Sequence, residues 1–259
     1  MLNVLYVVAT FIATVIGALA GIGGGIVLKA MTDIFSPDSV QVISFYTTVV
    51  VFTMCLVSIV KQIKSGFKYD LPMLLEISVG SLVGGYIGDS LLTVLLRYFP
   101  ENKVQLTQSI ILFLTLIFLI IYTRAMPQRK HVEKPHWLSS FGLGVFLGAI
   151  SIFLAIGGAP LNVSLLVICF GFTLRDAAIY SIASIFFSQL SKIYTIVMAN
   201  DYSRYDLGLV PWLAVIAIIG GYIGTTLSQH LSIKMLAILY NVFMIMLAVL
   251  TLFSVGRHL

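Results

Sequence analysis

The stretch Gly21-Ile-Gly-Gly-Gly25, followed by Ile-Val-Leu and then Lys29, lies in an apolar run that would otherwise read as one helix. Glycine in a helix interior costs about 0.5–1 kcal/mol relative to alanine, so four glycines in five residues mark a break with a purpose. A helix that restarts after such a break offers unpaired N–H groups and the positive end of its dipole, and together these suit an anion. Lys29 stands four residues beyond Gly25, on the same helical face and about one turn away, where a cation reinforces an anion site. Its other reading is a side chain that snorkels to the interface or pairs with Asp33 at i,i+4. A second cluster, Ala155-Ile-Gly-Gly-Ala-Pro160, places Gly157 and Gly158 in a similar setting. Asn162 supplies a neutral donor there, and Pro160 suits a first helical turn because its missing N–H would have no partner.

Further polar residues fall inside apolar runs. Lys192 follows Gln189 and Ser191. A cation within the membrane is a functional-site candidate, unless residues 194–199 belong to the interface and the lysine snorkels. Ser184 and Gln189 can donate to an oxyanion or bond across helices in packing, and Ser44 and Thr48 carry the same two readings. Glu76 and Asp89 are the carboxylates of the third apolar run. Either is able to carry a coupling proton, but both lie near its expected ends, and interfacial placement is the expectation. Cys55 and Cys169 read as small hydrophobes. The four histidines sit in loops or at the terminus, so neither a metal nor another cofactor is expected.

These residues must be positioned by membrane helices. The chain has 259 residues, 59% of them hydrophobic and only 10% charged, with a mean hydropathy of +1.07; soluble domains carry about 25% charged residues. Eight segments, 2–20, 40–60, 71–96, 104–123, 137–156, 177–199, 207–227 and 235–255, are each predominantly apolar and long enough to cross a hydrocarbon core, which takes roughly 20 helical residues. Residues 2–20 read as a retained segment, because no basic n-region and no cleavage site accompany them. The net charge of +5 is loop-borne and sets orientation, so it is no sign of a nucleic-acid partner. Lys61, Lys64 and Lys68 after the second segment, and Arg124, Arg129, Lys130 and Lys134 after the fourth, place both loops in the cytoplasm. If all eight segments span, both termini are cytoplasmic as well.

The sequence repeats itself. Gly84-Gly-Tyr-Ile-Gly88 recurs as Gly220-Gly-Tyr-Ile-Gly224, and the two breaks are related by nearly the same offset. Residues 1–125 and 137–259 therefore read as two membrane repeats joined by a basic cytoplasmic linker, 126–136. Each opens with a Gly-broken helix and a short apolar continuation. If the continuation turns back, the repeats are inverted; if it runs on, they point the same way, and basic-residue counting leaves both open. The every-fourth-residue glycines of the repeated motif have the spacing that lets helix backbones approach closely.

GIGGG with its apolar continuation, a second GIGG-type break followed by proline, and a four-segment half repeated across about 250 residues resemble the TauE/SafE family of sulfite or organosulfonate exporters. The resemblance implies an all-α, multi-pass cell-membrane transporter of a small anion, with Gly21, Gly23, Gly24, Gly25, Gly157 and Gly158 at its substrate site. Ala159 replaces the third glycine of the usual second motif, and Leu28-Lys29 stands where many members have Val-Pro. The residues lack a Ser/His/Asp set or an intramembrane histidine, which argues against an enzyme, and GIGGG lacks dinucleotide-loop spacing. The partners expected are a small anionic substrate and the lipid bilayer, with a homo-oligomer also compatible. A structural subunit of a membrane complex and an anion channel are the rival readings.

Overall fold

The computed structural model describes residues 2–36, 38–67, 69–125, 136–156, 158, 160–200 and 205–258. Among them are ten helices: α1 Leu2–Ala20, α2 Gly25–Phe35, α3 Val40–Lys64, α4 Leu71–Tyr98, α5 Glu101–Ala125, α6 Trp137–Phe153, α7 Pro160–Phe170, α8 Leu174–Ala199, α9 Val210–His230 and α10 Ile233–His258. Several begin where a side chain can take an orphan amide. Ser39, Asp70 and Thr173 accept from the N–H groups of Val42, Met73 and Asp176, opening α3, α4 and α8,.

Eight of the helices fall on the eight expected segments. Seven are long and apolar enough to cross a membrane. The eighth, α6, has 17 residues and stops at Phe153 because the chain turns at Ala155, whose φ is 54°. The short continuations α2 and α7 have 11 residues each. They are enclosed by the long helices, with Ile22, Ile26, Leu28, Ile156, Val163 and Leu166 buried, while Val79, Tyr86, Trp212 and Tyr222 face outward.

The first break turns the chain back. A Cβ placed on Gly24 would lie 2.4 Å from the Ala13 oxygen, so α2 starts beside the middle of α1. At its far end, the Tyr6 hydroxyl lies 3.0 Å from Ser36 Oγ and donates to Asp38 Oδ2 at 2.7 Å. The α1–α2 pair is therefore a hairpin whose ends share one face of the molecule. The other pair enters from the opposite face. Helices α3 and α8 run antiparallel: Ser44 meets Lys192, Phe52 stacks on Phe186, and the Asp70 N–H beyond the end of α3 donates to the Tyr180 hydroxyl. Helix α6 runs parallel to α4, since Gly80, Gly84 and Gly88 meet Phe141, Val145 and Ala149 in order. Each of these hairpins returns to its own side, so α1 begins and α10 ends on the face opposite Lys61 and Lys64. The expectation that termini and basic loops share a side, which assumed eight full crossings, is corrected by these turns. The linker 126–136 lies outside the described residues apart from His136.

The repeated motif joins the two halves crosswise. A Cβ on Gly84 would stand 2.0 Å from the Val145 oxygen of α6, and one on Gly224 2.3 Å from the Val15 oxygen of α1. The middle glycines serve a second neighbour: Gly85 abuts Ser188 of α8 and Gly221 abuts Met54 of α3. Helix α4 thus packs on α6, and α9 on α1, with backbones close enough for dispersion contact that lipid cannot replace. Gly84→Ala is expected to force α4 and α6 apart at a cost of about 1–3 kcal/mol, whereas Gly142→Ala, whose Cβ would meet nothing within 4 Å, should lose no stability. Thermal unfolding of the detergent-purified variants checks the contrast.

Candidate functional site

Both breaks use one backbone device. The Ile22 N–H donates to the Gly17 oxygen at 3.1 Å and the Ile156 N–H to the Ser151 oxygen at 3.3 Å, the wide bond that closes a helix behind a left-handed residue. Gly21 holds that left-handed position in the first break, with φ 72°, and Gly23 and Gly24 continue it at 84° and 69°. In the second break the position belongs to Ala155, where a Cβ costs about 1–2 kcal/mol. Gly157, expected at the site, lies outside the described residues.

The tips of the hairpins touch. A Cβ on Gly25 would lie 2.0 Å from the Ile156 oxygen, and one on Gly158 3.0 Å from the Ile22 oxygen. Gly21 abuts Ala178, and its carbonyl accepts from Ser181 Oγ at 2.7 Å. The irregular backbone is thereby held inside protein, where hydrocarbon would leave it unpaired.

Lys29 is buried and reaches the second break. Its Nζ donates to Gln108 Oε1 at 2.8 Å and to the Leu154 oxygen at 3.0 Å, while Gln108 Nε2 donates to the Phe153 oxygen at 2.6 Å. A cation and an amide thus hold the last carbonyls of α6, the negative end of its dipole. Ser184 forms a 2.7 Å hydroxyl pair with Ser81 and ties α8 to α4.

The densest polar cluster surrounds Lys192. This side chain is deep in the molecule, 5% exposed, and its Nζ donates to Ser44 Oγ. Asp89 lies 3.6 Å away on α4 and also accepts from Thr195 Oγ1 at 2.7 Å. Ser44, Thr47, Thr48, Gln189 and Lys192 face Ser151 and Ala155 across a gap too tight for a water molecule. Among the described residues, both amide atoms of Gln189 and the Thr47 hydroxyl are buried without a hydrogen-bond partner, as is the Asn162 amide nitrogen. Asn162 Oδ1 accepts from Ser151 Oγ at 3.4 Å. Buried polar atoms are paired in roughly nine cases out of ten, so this concentration beside a cation is unusual. Sequence reasoning placed Gln189 and Asn162 here but not Ser44, Lys192 and Asp89 as one group. The repeat carried a related signal, because the offset between the two breaks aligns Lys192 with Ser58 and the offset between the two Gly-Gly-Tyr-Ile-Gly motifs aligns Asp89 with Thr225.

A helical membrane protein with two opposed hairpins meeting in its interior has the architecture in which substrate and ion sites of secondary transporters are built. The family model "Sulfite exporter TauE/SafE" matches residues 6–251, and the chain belongs to that family of membrane transporters. It is also 24% identical over 278 residues to the "Probable membrane transporter protein YunE" of Bacillus subtilis (strain 168), covering 94% of this chain and 95% of that protein. No solved structure matches. The protein is accordingly a multi-pass membrane protein of a transporter family, with a small-molecule substrate implied by that membership.

Replacing Lys29 by Met leaves the Leu154 carbonyl and Gln108 without their cation, at about 1–3 kcal/mol for groups left buried and unpaired. The expected outcome is a lower thermal midpoint, with Lys29→Arg recovering part of it, measured in detergent without added anion.

Proposed function

We propose that the protein is a secondary transporter that carries a small anion, a sulfur oxyanion or organosulfonate, across the plasma membrane. The reading treats residues 1–125 and 137–259 as inverted repeats and places the anion at the second hairpin tip. The observation that carries it is the buried Lys192 beside Gln189, whose amide has no partner among the described residues. Lys192, the Gln189 amide, and the Ser44 and Thr47 hydroxyls are donors set around one point, and a tetrahedral or pyramidal oxyanion has acceptors to satisfy several at once. Asn162 completes the second break behind Ser151. Gly21, Gly23, Gly24, Gly25 and Gly158 allow the tips the approach that the site requires, and Lys29 acts as a positioning residue through Leu154. Ser184 contributes through the helix contact it makes with Ser81.

The gap between these groups is closed, which fits an occluded conformation. Opening toward either face requires one hairpin tip to move against the other, so the two faces gain access in turn.

A thermal-shift panel of sulfite, sulfate, thiosulfate, short organosulfonates, carboxylates and chloride tests the reading, joined to uptake into proteoliposomes. One sulfur-anion class is expected to stabilise the wild type, by about 2.7 kcal/mol at a hundredfold excess over its Kd, and to enter saturably. Lys192→Met should abolish both responses and Gln189→Ala should weaken them. A Lys192→Met protein that binds and carries the anion as wild type does overturns the site; uptake that never saturates favours a channel.

A further inference from the structure

The duplicated framework supplies an internal control for the Lys192–Asp89 pair. Gly85 of α4 packs on Ser188 of α8, and Gly221 of α9 packs on Met54 of α3. These two contacts bring α8 onto α3 and α4 onto α9 position by position, so that one turn further along Lys192 corresponds to Ser58, and Asp89 to Thr225. In the α3–α9 contact the Thr225 hydroxyl donates to Ser58 Oγ at 2.8 Å, both residues fully enclosed. The same helix crossing is therefore held by two hydroxyls where α3 meets α9 and by an ion pair where α4 meets α8. A buried ion pair is seldom more stabilising than uncharged groups of similar volume, and here the uncharged solution exists within the same molecule. Packing does not explain the charges.

The pair has two unlike ends. Lys192 faces Ser44 and the unpartnered Gln189 at the second hairpin tip, whereas Asp89 is turned from that gap toward Thr195, with 19% of its side chain exposed. Among the described residues no other charge stands in a position to replace Lys192. Of the helices packed on α4, α6 carries no charged residue, α5 has Glu101 and Lys103 in its first turn and Arg124 in its last, and Arg175 and Asp176 lie at the opposite end of α8 from Lys192. On α4 itself Glu76 is more than three turns away, and Arg97 is exposed in the last turn.

We propose that Asp89 is the exchangeable counter-ion of Lys192: the transported anion takes its place beside the ammonium, and the released carboxylate takes up one proton. This rests on the reading of Lys192 as the anion-binding cation. Without the proton, two negative charges would share one cation inside the protein, an arrangement that low local dielectric makes costly. The step makes and breaks no covalent bond except to that proton, which comes from water on the face toward which the site is open and leaves with the anion. Anion and proton then travel in the same direction.

The test uses methanesulfonate and thiosulfate, which stay ionised across the pH range used, so that they bring no proton of their own. Wild-type proteoliposomes are expected to accumulate one of them on an inward proton gradient and to acidify a lumenal dye as they do so. In Asp89→Asn the ratio of gradient-driven uptake to exchange at equal pH should fall at least tenfold, while Asp89→Glu keeps most of it. The double variant Lys192→Ser with Asp89→Thr copies the Ser58–Thr225 pair and should purify as a monodisperse protein with a thermal midpoint near that of the wild type. Gradient-driven accumulation by Asp89→Asn equal to wild type, or wild-type uptake that moves no protons, overturns the proposal while leaving Lys192 as the anion site. A double variant that does not fold also overturns it, because the charges would then be structural. Wild-type protein that exchanges neither anion sinks the transport reading itself.

Discussion

A backbone that leaves its helix inside a membrane must find its hydrogen bonds within the protein, and the structure is arranged around that constraint. The two breaks meet each other, Gly25 against the Ile156 carbonyl and Gly158 against the Ile22 carbonyl, and the long helices close around them. Close contact of this kind needs residues without a Cβ on at least one side. The glycines that interrupt α1 are thus also the residues that let the second hairpin approach, and neither break could be enclosed this tightly without the other.

What surrounds the breaks is nearly symmetric in shape and unequal in chemistry. The crossings of α4 on α6 and of α9 on α1 use the same motif, and both hairpins end in the same backbone turn. The polar groups do not follow. Lys29 and Gln108 clamp the end of α6, and Lys192 and Asp89 cross between α8 and α4, whereas Ser58 and Thr225 take the related crossing. The related crossings supply a scaffold of similar shape around both tips, and the charges set the second tip apart from the first.

Much of this was legible in the sequence, for physical reasons. Apolar length gave the crossings, glycine clusters gave the breaks, and the exact recurrence of the Gly84 and Gly220 motifs gave the close helix contacts. The direction of the chain after Gly24 was not legible, because a left-handed glycine permits either course and only the contact with Ala13 and the Tyr6–Asp38 bond reveal which was taken. Nor could spacing decide between two lysines. Lys29 lies near the first break in sequence but serves the second in space, and Lys192 gains its meaning from Ser44 and Asp89, which belong to distant helices. The length of α6 was overestimated because Ala155, an ordinary helix former, is held left-handed by its surroundings.

The crosswise pairing of α4 with α6 and of α9 with α1 bears on how the chain is made. Helices emerge from the ribosome in order, and the glycine face of α4 has no partner until α6 follows it. Through the synthesis of α5 and the linker, Gly80, Gly84 and Gly88 must therefore rest against lipid or against whatever escorts the nascent chain. Helix α1 waits longer still, because α9 is almost the last helix to appear. Insertion and assembly are consequently separate stages for this protein, and a chain cut between its halves would yield two fragments that each lack the surface the other was shaped to cover.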